Sequence, residues 1–96
     1  MTISKKAKTI SAILARWDPE KLIRGAGANK DEYFSEAYMI AENISKNATE
    51  EEIAKEIFGT FYMAFHGSVS DKKLESRYAF KKVLPTAKKI AKALRN

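Results

Sequence analysis

The chain has 96 residues, no cysteine, one histidine, and 18 basic against 12 acidic side chains for a formal charge of +6. That length fits one domain with a modest core, and 45% hydrophobic with 31% charged residues makes it globular rather than disordered. The lack of cysteine excludes disulfides, thiolate metal sites and thiol nucleophiles, and agrees with a cytoplasmic setting. In chain order, Ile3, Ala7, Ile10, Ile13, Leu14 and Trp17 recur at the spacing of one helical face. Pro19 disfavours helical dihedrals at Asp18, so this first helix must end near residues 16–18. A connection follows, with Leu22, Ile23 and the turn-prone Gly25-Ala26-Gly27.

Asn29 and Glu32 have the spacing of a capping box and predict the start of a second helix. Its stripe is Tyr33, Ala37, Ile40, Ala41 and Ile44. Thr49 and Glu52 repeat the device ahead of a third helix, whose face is Ile53, Ile57, Phe61 and Ala64. Gly67 after His66 reads as a left-handed C-cap. Ser70 or Asp71 opens a last helical stretch in which the apolar phase changes. Phe80, Val83, Leu84, Ala87, Ile90, Ala91 and Leu94 share one side, while Leu74 and Tyr78 fall on the other. Pro85 predicts a kink or a break, with one helix to about Lys82 and another from about Pro85. No segment alternates with period two, so strands are not expected. The expected fold is all-α: residues 1–96 as a single compact bundle of four to five helices, with a structured loop between helices 1 and 2.

Trp17-Asp18-Pro19, Leu22-Ile23, the Gly25-Ala26-Gly27 turn and Asp31-Glu32-Tyr33 resemble the WDP…DEY pattern of the YugE-like family. The likeness continues through Glu36, the Glu50-Glu51-Glu52-Ile53-Ala54 helix start and Ile57 to Phe65, and covers roughly residues 14–66. The resemblance implies a small all-α bacterial protein and supplies no agreed activity. Similar small proteins look like immunity partners of bacterial toxins, so the resemblance points to a protein partner. The motif also has a structural reading. Trp17 can close the core, Asp18 can start a turn, and Tyr33 can send its hydroxyl to Asp18 across the loop. A cation site of Asp18, Asp31 and Glu32 is conceivable, but it lacks a ligand-spacing signature. No cofactor or metal is expected.

Catalytic signals are thin. His66 is the one imidazole, at a helix C-terminus where partial positive charge is favourable, and no Ser-His-Asp pattern accompanies it. Residues 25–30 look like a phosphate loop only superficially, because they follow no strand and lack the Gly-Lys-Ser/Thr ending. The aromatics Tyr33, Phe34, Tyr38, Phe58, Phe61, Tyr62 and Phe65 have core spacing, and an exposed one beside charge would mark an interface.

Charge is unevenly distributed. Residues 1–30 carry +5, residues 31–70 carry −6 and residues 71–96 carry +7. On a helical wheel Lys81, Lys88, Lys92 and Arg95 form a stripe edged by Lys82 and Lys89. Such a stripe can follow phosphates, or it can be a solvated outer face. No secretory signal or membrane span is visible. The expectation is a non-enzymatic, cytoplasmic protein-interaction module of immunity type, binding a toxin domain through Trp17, Asp18, Pro19, Asp31, Glu32 and Tyr33. The alternative is a nonspecific nucleic-acid-associated protein using the lysine stripe.

Overall fold

A computed structural model of the chain describes residues 2–22 and 31–96. Five helices follow one another: α1 (Ile3–Trp17), α2 (Phe34–Asn43), α3 (Glu50–Phe65), α4 (Asp71–Arg77) and α5 (Phe80–Arg95). Among the described residues there is no strand. This is the all-α bundle that the apolar spacing predicts.

Local chemistry explains most of the ends. Thr2 caps α1 through Lys5 N–H, and Ser70 caps α4 through Lys73 N–H. At α3 the capping box closes both ways. The Thr49 hydroxyl accepts from Glu52 N–H at 3.1 Å, and Glu52 Oε1 accepts from Thr49 N–H at 2.9 Å. These bonds hold the Glu52 carboxyl below the usual carboxylate range.

The helices enclose one apolar core. It is built from Ala7, Ile10 and Leu14 of α1, Ile40 of α2, Ile53, Ile57 and Phe61 of α3, Leu74 of α4, and Val83, Ile90 and Leu94 of α5. The chief pairings are α1 on α2 and α3 on α5, with α1 also on α5 and α4 on α3. Two long-range ties pin the ends of this packing. The Lys6 ammonium donates to the Ile44 carbonyl, and Arg95 Nη2 donates to the Ala48 carbonyl at 2.7 Å.

Four expectations need correction. The second helix begins at Phe34, because residues 31–33 form a turn closed by Phe34 N–H on the Asp31 carbonyl at 3.0 Å. Asn29, Ile23 and the Gly25-Ala26-Gly27 turn lie outside the described residues, and with them most of the expected loop. Gly67 does not adopt the left-handed conformation. His66 stays right-handed at φ −61°, and Val69 N–H closes the end on the Phe65 carbonyl at 2.9 Å.

The break in the last stretch falls at Tyr78-Ala79, where Ala79 is extended (φ −56°, ψ 149°), and not at Pro85. Pro85 sits inside α5 on its exposed side, where water can solvate the Lys81 carbonyl that proline leaves unpaired. Restarting the helix at Phe80 lets Leu74 and Tyr78 bury on one phase and Val83 to Leu94 on the other. Phe80 itself, placed with the core by the wheel, is 48% exposed.

Candidate functional site

The Trp17-Asp18-Pro19 segment is where the two halves of the chain meet. Asp18 caps α1 in the left-handed conformation (φ 49°, ψ 58°), with its N–H on the Leu14 carbonyl at 2.7 Å. Asp tolerates that conformation better than most residues, and Pro19 directly after it cannot continue the helix. Asp18 is nonetheless buried. Its Oδ1 accepts from the Tyr33 hydroxyl at 2.7 Å, and the same hydroxyl accepts from Glu20 N–H at 3.0 Å. The Asp18–Tyr33 bond expected from sequence is therefore present. Burial, reinforced by the Asp18 bond, pushes the Tyr33 hydroxyl pKa well above the ordinary tyrosine value.

Trp17 is half-buried. Its indole meets Phe61 and Tyr78 in T-shaped contacts, with centroids 5.9 and 5.7 Å apart. Tyr33, another signature residue, packs on the same Phe61 ring, with centroids 5.9 Å apart. Asp31 and Glu32 lie exposed, and among the described residues no group of three carboxylates or imidazoles is placed to hold a metal. The conceivable Asp18/Asp31/Glu32 cation site is not formed. His66 is exposed and stacks on Tyr62 at 5.7 Å, as suits a helix end.

Sequence reasoning missed a second set of bonds on the other side of Pro19. Glu20, with only 7% of its side chain exposed, accepts from Arg77 Nη1 through both carboxylate oxygens at 2.6 Å. The Tyr78 hydroxyl also donates to Glu20. The Glu20 bond raises the Arg77 pKa, and burial, with Glu20 adding to it, raises that of Tyr78. No local signal announces this network, since Glu20 and Arg77 are 57 positions apart.

Beside these bonds lies an open groove of about 790 Å³. Trp17 and Pro19 line it from the end of α1. Lys72, Lys73, Ser76 and Arg77 line it from α4, and Lys81, Lys82 and Pro85 from α5. No acidic residue is among the described residues that line it. A neighbouring hollow of about 470 Å³ shares Pro19, Lys73 and Arg77, and adds Glu20, Lys21, Ser68, Val69 and Ser70, so a carboxylate lines this one. Lys72, Lys73, Lys81 and Lys82 are all exposed, and among the described residues none forms an ion pair.

The predicted lysine stripe is thereby divided. Lys81 and Lys82 belong to the groove. Lys88 and Arg95 line a different hollow beside Glu50, Glu51 and Phe80, and the Arg95 guanidinium is engaged with Ala48. Lys89 and Lys92 are exposed on the outer face of α5. Lys72, Lys73 and Arg77 are not part of the expected stripe, which runs along the helix after Phe80 alone; the observed break at Tyr78-Ala79 brings them beside Lys81 and Lys82.

Comparison of the chain with protein-family models, with curated proteins and with solved structures finds no match. Function must therefore be argued from the geometry.

Proposed function

We propose that the chain is a non-catalytic binding protein that holds a nucleic-acid phosphate backbone in the groove between α4 and α5. One observation carries this reading: four lysines and an arginine converge on one concave surface whose described lining contains no carboxylate. Neutralising phosphates there releases counterions, which gives affinity without base readout. Lysine suits the task, because its ammonium is a point charge that needs no fixed partner geometry. Specific duplex readers instead place Arg, Asn or Gln on base edges from a recognition helix, and the groove offers one Arg that Glu20 already grips.

The test is a titration of labelled nucleic acid at low and moderate salt. Affinity should fall steeply as salt rises, and Lys72→Glu with Lys73→Glu should abolish it. Lys89→Glu with Lys92→Glu, on the outer face, should weaken it only modestly. A chain that binds no nucleic acid at low salt does not have this function.

A second reading has its own observation. Phe80 is 48% exposed and lines hollows shared with Glu51 on both sides. An exposed aromatic beside charge suits a protein interface, as an immunity-type partner of a toxin domain would need. Co-purification with the toxin domain of a neighbouring gene, lost on Phe80→Ser, would support this reading. Absence of any stable protein partner would remove it.

A further inference from the structure

We infer that the phosphate backbone held in the groove continues past Pro19 into the smaller hollow and makes its last contact with Lys21. This rests on the phosphate-binding reading above and sets how far that site extends.

The observation behind it is the conformation of Lys21. Its N–H closes a turn on the Asp18 carbonyl at 3.1 Å, around Pro19 and Glu20. Asp in the first place and Pro in the second are what the commonest turns prefer, and glycine is favoured in the fourth. The chain follows that rule at Asp18 and Pro19 and breaks it at the fourth place. Lys21 stands there with φ 59°, in the left-handed region where a Cβ crowds the following carbonyl. Asp18 has positive φ as well, but its buried carboxylate receives the Tyr33 hydroxyl, so the fold gains from it. Lys21 is exposed, and its side chain has no hydrogen bond or ion pair among the described residues. Nothing described within the fold offsets its conformation.

The turn sets Lys21 at the smaller hollow, which meets the groove at Pro19, Lys73 and Arg77. An ammonium rides on a flexible four-carbon stem, so its reach follows from where the backbone is placed and not from one rotamer. Three cations and one carboxylate line that hollow among the described residues. The carboxylate, Glu20, is already matched by Arg77 at 2.6 Å and by the Tyr78 hydroxyl. A phosphate there meets Lys21 and Lys73 without an unanswered negative charge. Lys73 lines both hollows, so a backbone lying on Lys72, Lys81 and Lys82 can pass from one to the other over cationic surface. Glycine would suit the turn better and would offer no charge. A lysine in that place breaks a local rule for a contact made outside the chain.

The full chain is titrated with labelled single-stranded DNA and with duplex DNA over a range of salt, alongside three variants. Lys21→Gly should weaken binding several-fold and reduce the salt slope by ~0.7 for the single strand or ~0.9 for the duplex, the share of one phosphate contact. Its urea midpoint should equal or exceed that of the wild type, because glycine relieves the crowding at φ 59°. A role in the fold alone would not weaken binding while sparing stability. Lys21→Arg keeps the charge and should bind as the wild type does. Lys89→Gln removes one charge from the outer face of α5 and should leave the slope close to that of the wild type. Unchanged binding by Lys21→Gly, while Lys72→Glu with Lys73→Glu still abolishes it, overturns this inference and leaves the phosphate-backbone function intact. Weaker binding together with a lower midpoint overturns it too, since Lys21 then belongs to the fold. So does Lys21→Arg binding as weakly as Lys21→Gly, or Lys89→Gln losing as much slope, which would make charge count and not place the cause. A wild-type chain that binds neither DNA overturns both readings.

Discussion

On one side of Pro19 and Trp17 the carboxylates of Asp18 and Glu20 are answered from within the molecule, and on the other side no lysine of the groove is in an ion pair among the described residues. Asp18 and Glu20 are withdrawn from solvent, and their oxygens are taken by Tyr33, Arg77 and Tyr78. Lys72, Lys73, Lys81 and Lys82 stand in water a short way off, outside any ion pair among the described residues. A buried charge is tolerated only with its partners present, so the first group is committed to the fold and losing one member is expensive. A solvated lysine costs the fold almost nothing and contributes almost nothing to it, which leaves its charge available to a ligand. Arg77 belongs to both groups. It lines the groove, but its charge is already matched by Glu20, so the lysines rather than the arginine should set the salt dependence of binding.

The sharpest way to break this contrast is Asp18→Ala. It leaves the buried Tyr33 hydroxyl without its acceptor and puts alanine at φ 49°. The expected loss is ~2–4 kcal/mol, read from the urea midpoint. A loss below about 0.5 kcal/mol, the level of an ordinary surface change, would place Asp18 with the lysines. Glu20→Gln should cost less, ~1–3 kcal/mol, because Arg77 keeps contact with water and can recover part of its solvation.

Alkali tests the same side of the contrast without mutation. Tyr33 and Tyr78 hold their protons in the folded state at pH values where an unfolded tyrosine, with its pKa near ~10, has lost its own. The native state then binds more protons than the unfolded one. Stability is fully present below about pH 10 and falls above it, by about 1.4 kcal/mol per pH unit for each such tyrosine. Tyr33→Phe should remove its share of that slope, as followed by thermal melts across the range. The smallest effect is expected on the groove side. Lys73→Gln should shift stability by no more than ~0.5 kcal/mol while reducing the salt slope of nucleic-acid binding by about 0.7 if the ligand is single-stranded.

What could be read from sequence follows the range over which each cause acts. The Thr49–Glu52 capping box involves residues three apart and is present as expected. The Asp18–Tyr33 bond was legible because Pro19 forces a turn and a tyrosine stands where the chain re-enters the core. Glu20 with Arg77 was not, since nothing near either residue names the other. The break before α5 was half legible. The wheel registers it as the displaced phase of Leu74 and Tyr78, but Pro85 puts the expected break about five residues too late. Ala79 carries no stop signal of its own, and what ends α4 there is the gain from burying both apolar phases. The groove inherited that error, because its two banks of lysine lie on either side of the observed break at Tyr78-Ala79, and both fall before the expected one.

That break has a consequence for shape. An unbroken helix over residues 71–95 would be a rod of ~37 Å, longer than the 34 Å greatest extent of the molecule. Its positive charges would run in file along a convex cylinder, each facing solvent on its own. Interrupting the rod at Ala79 sets the lysines of its first two turns and those of its restart around a common hollow. A single extended residue, of no chemical distinction, thus turns a charged edge into a pincer.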